Sequence, residues 1–159
     1  DQGLSFTRAF VAQPLCGPSR ASFFTGQYTH NHGVRKNLKP EGGFTVFLEH
    51  ESSSIATWLQ AAGYRTSLVG KYINGYPTGR PAEPEDYSTD DVARRSVSFI
   101  EEAAQHPEPF FLYIGVEAPH SPATYRDRHG GEFRDALAPR SPSFNEADVS
   151  DKPWGVRRP

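Results

Sequence analysis

Apolar residues recur along the chain with two different periods, and the change of period marks its elements. Ile55, Trp58, Leu59 and Ala62 fall at i, i+3, i+4 and i+7, which places one apolar stripe along a helix. One of Ser52, Ser53 and Ser54 can cap that helix, and Gly63 can end it. A second helical face runs through Val92, Ser96, Phe99, Ile100 and Ala103. That helix begins at Ser88, carries Asp90 and Asp91 in the first turn where the dipole favours them, and cannot pass Pro107. Asp90 and Asp91 are therefore read as a helix start and not as metal ligands. Pro18 suits the first turn of a shorter helix that Gly26 can close in a left-handed conformation.

Three other segments predict strands. LSFTRAFVA (residues 4–12) is rich in β-branched and aromatic residues. YRTSLVG (residues 64–70) follows the capped helix as a buried type of strand. PFFLYIGV (residues 109–116) is a continuous apolar run, as expected of a strand covered on both faces. Strand, helix, strand, helix, strand predicts an α/β fold with a parallel-type sheet flanked by helices. Beyond Ala118 the sequence predicts only loop. Ligands of such sheets bind outside the carboxyl ends of the strands. CGPSR (residues 16–20), Lys71 and His120 each follow one predicted strand, so residues distant in sequence are expected to converge on one edge.

Composition narrows the class without naming the chemistry. The 159 residues are 36% hydrophobic and 23% charged, enough for a globular core. A net charge of −2 gives no general pull toward nucleic acid or an anionic membrane. The longest strongly apolar run, residues 110–116, is far shorter than the roughly 20 residues of a membrane span. No signal peptide is visible in DQGLSFTRAFV. Cys16 is the single cysteine, which excludes an internal disulfide and a multi-thiolate zinc cluster. The absence of Met and the strand-like first residues read as part of a longer protein.

The groups after the predicted strands suit an anionic ester. A cysteine at a helix start feels the positive end of the dipole. Arg20 offers a planar fork for tetrahedral oxyanions, Lys71 a point charge, and His120 a proton exchanged near neutral pH. Each also has a structural reading: an inert small hydrophobe, two surface charges, a loop histidine. A protein-tyrosine-phosphatase loop is excluded, because its arginine would fall where Ser22 stands. HNH (residues 30–32) is too small a set for a metal site. His30 and His32 fit a structural or substrate-edge role, with His32 the stronger candidate for contact.

CGPSRASFFTG (residues 16–26) resembles the sulfatase signature, in which a cysteine, any residue, Pro, Ser and Arg precede a short helix and Thr-Gly, here Thr25 and Gly26. GQYTHNHGV, WLQAAGYRTSLVGKYINGYP, PFFLYIGVEAPHSP and APRSPSFNEADVSDKP likewise resemble N-acetylglucosamine-6-sulfatases and their relatives. The resemblance implies an alkaline-phosphatase/sulfatase-like fold, incomplete here, with residues 1–159 in one catalytic domain, 1–118 its α/β part and 119–159 largely loop. It implies that a formylglycine-generating maturation enzyme oxidises Cys16 to formylglycine, an aldehyde held as its hydrate. One hydroxyl would attack sulfur, and the second would release sulfate from the sulfated intermediate. Arg20 would hold the hydrate, Lys71 would bind sulfate, and His120 would act near the leaving oxygen.

The substrate implied is a sulfated sugar or glycan, and the compartment secreted, periplasmic or lysosomal. Many sulfatases have histidine two places after the lysine. Ile73 stands there, so Asn74 or Tyr72 is expected to line the pocket. Calcium is also implied, with the Cys16 position among its ligands. The family's paired aspartates upstream and Asp-Asn pair downstream are not in this sequence, so these residues alone are expected neither to hold calcium nor to turn over substrate. Three rivals remain: a phosphonate or phosphate ester hydrolase of the same superfamily, a non-catalytic chain binding sulfated glycans, and a thiol hydrolase using Cys16 and His120.

Overall fold

Serine capping and glycine termination divide the chain largely as the periodicity predicts. The computed structural model describes residues 3, 5–77, 87–142, 144–155 and 157. Its elements are α1 (Cys16–Thr25), α2 (Thr29–His32), α3 (Phe44–Phe47), a 3-10 turn (Leu48–His50), α4 (Ile55–Ala61), β1 (Arg65–Gly70), α5 (Ser88–Ala103), β2 (Phe110–Gly115) and a last 3-10 turn (Asp127–His129). Among the described residues, β1 and β2 form a parallel two-stranded sheet, with Arg65 opposite Phe110 and Gly70 opposite Gly115. α5 is the crossover between them and packs on both strands. The α/β reading holds.

α4 starts at a capping box. The Thr57 backbone N–H donates to Ser54 Oγ at 3.4 Å, and the Ser54 backbone N–H donates to Thr57 Oγ1 at 2.9 Å. This satisfies donors that a helix start otherwise leaves open. Its apolar stripe is narrower than predicted: Ile55 and Leu59 are half-buried, while Trp58 is exposed and its indole N–H donates to Ser53 Oγ. α5 begins at Ser88 with Asp90 and Asp91 in its first turn, and Asp91 is paired with Arg94 and Arg95. Its buried positions are Val92, Ser96 and Ala103; Phe99 meets Phe110 edge-to-face, and Ile100 is largely exposed.

The core gathers beside α1 instead of on the sheet. Ala21, Phe24, Val34, Phe47 and Ile73 form its buried cluster, with Tyr72 and Tyr113 packed against it. The Phe24 ring lies 4.8 Å from that of Tyr113 and 5.0 Å from that of Tyr72. α1, the loop after β1 and strand β2 are thereby pinned to one another.

Two expectations are corrected. Leu4 lies outside the described residues, and residues 5–12 form no strand. A strand needs a ladder partner for its N–H and C=O groups, and this segment pairs with neither β1 nor β2. Phe10 is 90% exposed. Nor is β2 covered on both faces, since Phe110 is 41% and Ile114 46% exposed. An apolar run records a strand's capacity to be covered, not which neighbours cover it. The chain divides into two compact units between Thr124 and Tyr125. The second holds local contacts such as His129 Nδ1 to Glu132 Oε1 at 2.9 Å and Lys152 Nζ to Glu146 Oε2 at 3.1 Å.

Candidate active site

The site is set by how α1 divides its faces. Gly17, Pro18, Ala21, Phe24 and Thr25 are buried, a stripe at helical spacing that faces the core. Cys16, Ser19 and Arg20 stand at i, i+3 and i+4 on the remaining face, where side chains are neighbours. All three line an open cavity of about 450 Å³, with Gln13, Pro14, Leu15 and Tyr113. Gly26 closes the helix at φ 66°, its N–H donating to Ser22 O at 2.9 Å.

Neighbouring segments hold this helix start in place. The Gly17 N–H donates to Asn37 Oδ1 at 2.7 Å. A Cβ at Gly17 would stand 3.1 Å from that oxygen and 3.4 Å from Asn74 Oδ1, so a larger residue after the cysteine requires the Asn37 side chain to yield slightly. Asn74 Oδ1 is buried and has no hydrogen-bond partner among the described residues. Arg20 Nη1 donates to the Tyr72 carbonyl at 3.0 Å, fixing the guanidinium against the loop that follows β1. Burial pushes the Tyr72 phenol well above its ordinary value, so it is neutral and serves packing.

Lys71 and His120 come together around a residue the sequence reading missed. Lys71 Nζ donates to Glu117 Oε1 at 2.8 Å, and His120 Nδ1 lies 3.9 Å from the same oxygen. His120 Nδ1 is also 2.9 Å from the Ser121 carbonyl. A carbonyl only accepts, so Nδ1 carries a proton, and in the neutral ring Nε2 keeps its lone pair. Lys71, His120 and Asn74 do not line the Cys16 cavity. The structure thus brings Cys16 to Arg20, Arg20 to the residue after Lys71, and Lys71 to His120 through Glu117. Glu117 and Tyr113 carry no local signal: one is an acid in a loop, the other one aromatic among several in β2.

His32 is a correction to the substrate-edge expectation. It is 1% exposed. Its Nδ1 accepts from the Val34 N–H at 3.1 Å, so the neutral ring carries its proton on Nε2, 3.0 Å from Ser22 Oγ. Both nitrogens are used inside the protein, so His32 ties α2 to α1. Burial, and then the neighbouring His50, hold its pKa below the ordinary histidine range.

The sign follows from that depression. Below about pH 6.5 the unfolded chain takes up a proton that folded His32 refuses, so stability falls with pH by at most ~1.4 kcal/mol per unit. Histidine-resolved NMR titration should place the His32 midpoint below the ordinary histidine value of about 6.5. A His32 midpoint at or above pH 6.5 would contradict this.

Calcium takes six to eight oxygen ligands, mostly carboxylate and carbonyl. Among the described residues, no carboxylate side chain lines the cavity at Cys16, and there is no group of three or more His, Cys, Asp or Glu able to hold a metal. These residues by themselves do not fit calcium. Among the described residues no helix is long and apolar enough to cross a membrane.

The Sulfatase family model matches residues 1–77. The chain is 33% identical to a Caenorhabditis elegans homologue of extracellular sulfatase Sulf-1, covering 99% of this chain and 27% of that protein. It is 30% identical to the N-acetylglucosamine-6-sulfatase of Capra hircus, covering 99% of this chain and 35% of the enzyme, and 29% identical to that of Homo sapiens, covering 99% and 36%. The chain thus spans about a third of the length of these relatives. The crystal structure of Ps i-CgsB in complex with k-i-k-neocarrahexaose superposes with a TM-score of 0.68 at 23% identity, over 80% of this chain and 40% of that one; this shows the fold. CGPSR, which turns into α1, lies inside the residues that the Sulfatase family model matches, and the chain is similar to sulfatases over nearly its whole length.

Proposed function

We propose that these residues contribute to one catalytic domain of a sulfuric ester hydrolase. It cleaves 6-O-sulfate from N-acetylglucosamine-type sugars in glycans, with Cys16 converted to formylglycine. The observation that carries this reading is the division of α1, which buries the 17, 18, 21, 24, 25 stripe and presents Cys16, Ser19 and Arg20 to one cavity. As an aldehyde hydrate, Cys16 supplies two hydroxyls, one to attack sulfur and one to release sulfate.

The other residues hold charge and protons. Arg20, anchored on the Tyr72 carbonyl, keeps a permanent cation beside position 16. Lys71 is pre-oriented by Glu117, and an incoming sulfate oxygen competes with that carboxylate for the ammonium. His120, with Nδ1–H fixed on the Ser121 carbonyl, presents Nε2 to exchange a proton with the leaving alcohol. Asn74 Oδ1, buried and unpaired beside Gly17, is an acceptor for a donor that arrives with substrate or with the modified Cys16. The names of the relatives support the amino-sugar substrate and an extracellular setting.

Paired aryl sulfate and aryl phosphate esters test the reaction with the full-length protein. Sulfate release should exceed phosphate release. Faster phosphate release would move the protein to the phosphate or phosphonate hydrolases. No release of either, with sulfated glycan still bound, would leave a non-catalytic binder.

A further inference from the structure

α1 begins without a local side-chain cap. Its N-cap residue is Leu15, whose side chain makes no capping hydrogen bond, and Pro18 in the first turn has no N–H to satisfy. The Ser19 N–H closes the first turn on the Leu15 carbonyl at 2.9 Å. The Gly17 N–H, on a buried residue, is a donor that the turn itself leaves open. It is satisfied from 20 positions along the chain, by Asn37 Oδ1 at 2.7 Å. Asn37 is held in turn. Lys36 and Gly42 form a parallel bridge, and the Gly43 N–H donates to the Lys36 carbonyl at 3.0 Å. The Phe44 N–H donates to the Asn74 carbonyl at 2.7 Å. Gly43, at φ +70°, is wedged between two carbonyls: a Cβ there would stand 2.7 Å from Asn37 O and 2.9 Å from Asn74 O. The loop carrying Asn37 is thus fastened to itself and to the loop after β1, which Arg20 also grips through the Tyr72 carbonyl. Asn37 lies outside the lining of the Cys16 cavity, so any effect it has on the site passes through Gly17.

We propose that Asn37 is a positioning residue for the nucleophile. By holding the Gly17 N–H it fixes the Cys16–Gly17 peptide, and with it the direction in which the side chain of residue 16 leaves the backbone. It rests on the sulfatase reading of Cys16 above. Attack on sulfur needs the incoming oxygen aligned with the bond that breaks, and a small misplacement of a reacting group costs rate. Arg20 keeps its own anchor on the Tyr72 carbonyl. Loss of Asn37 therefore frees residue 16 while the neighbouring cation stays in place, and the loss falls on kcat and not on KM.

The test uses the full-length protein and an aryl sulfate. Turnover is counted per folded molecule carrying formylglycine, from urea unfolding and from the mass of the peptide that contains residue 16. Asn37→Ala is expected to lower kcat about tenfold, the scale of one lost hydrogen bond, with KM within about twofold of wild type. Asn37→Asp keeps an acceptor in the same place and should bring kcat back to within about threefold of wild type, since Asn and Asp cap helix starts about equally well. Amide exchange at Gly17 is followed in the same proteins. It should be about tenfold faster or more in Asn37→Ala and as slow as wild type in Asn37→Asp. A wild-type kcat in Asn37→Ala, or equal losses in both variants, would overturn the positioning role. If the wild-type protein releases no sulfate, the sulfatase reading fails. Gly17 exchange then decides the role of Asn37: faster in Asn37→Ala alone upholds its hold on the Cys16–Gly17 peptide, and unaltered exchange overturns it.

Discussion

Cys16→Ser is expected to lower sulfate-ester turnover by a factor on the order of 10⁴ or more, the scale seen when a nucleophile is removed from a working site. The fold should remain intact. Cys16 is only half-buried, lies in the first turn of α1 and lines open space, so the change in stability should stay within about 0.5 kcal/mol. Loss of activity without loss of structure separates chemistry from packing. A serine retains one hydroxyl, enough to attack sulfur, but it has no second hydroxyl with which to expel sulfate. The variant should therefore accumulate a sulfated serine when mixed with aryl sulfate, visible in the mass of the peptide carrying residue 16. In active wild-type protein the same peptide should carry an aldehyde that reacts with hydrazides and resists thiol alkylation. An alkylatable Cys16 in active protein would replace this reading with direct thiol chemistry.

That site was readable in part because part of it is local. Cys16 and Arg20 are one helical turn apart, so the sequence already places them on one face, and the Gly26 terminus bounds the helix that carries them. α4 and α5 were legible for the same reason: a serine or acidic first turn and several apolar positions at helical spacing. α2 and α3 have four residues each, about one helical turn, and leave no periodicity to detect. The strand predicted at residues 4–12 failed because strand formation depends on a partner elsewhere in the structure. The link between Lys71 and His120 was hidden for a related reason. It runs through Glu117, which reaches Lys71 only because β1 and β2 pair in parallel with Gly70 opposite Gly115. His32, which local sequence presented as a polar contact, is placed under α1 by the core.

That strand register predicts a large effect on stability at Gly70. Its φ is +90°, and a Cβ there would stand 2.2 Å from the Gly115 carbonyl oxygen and 3.3 Å from Val92 Cγ2. The same carbonyl accepts the Lys71 N–H at 2.7 Å, the last bond before the two strands release Lys71 and Glu117 toward the site. An alanine methyl must therefore displace the oxygen and spread the strand ends while also straining its own backbone. Gly70→Ala is expected to cost about 2–5 kcal/mol, combining backbone strain of roughly 1–2 with overpacking of roughly 1–3. Gly63→Ala is the matched control. Gly63 has φ +88°, but a methyl there would meet no atom within 4 Å, so only the strain of about 1–2 kcal/mol applies. Urea unfolding of both variants in the full-length protein measures the difference, which is the steric cost of parting β1 from β2. Sulfate-ester turnover of the folded fraction should also fall in Gly70→Ala and not in Gly63→Ala, because only the former moves Lys71 away from Glu117. Equal midpoints for the two variants would show that the strand ends yield freely and that their register does not position Lys71.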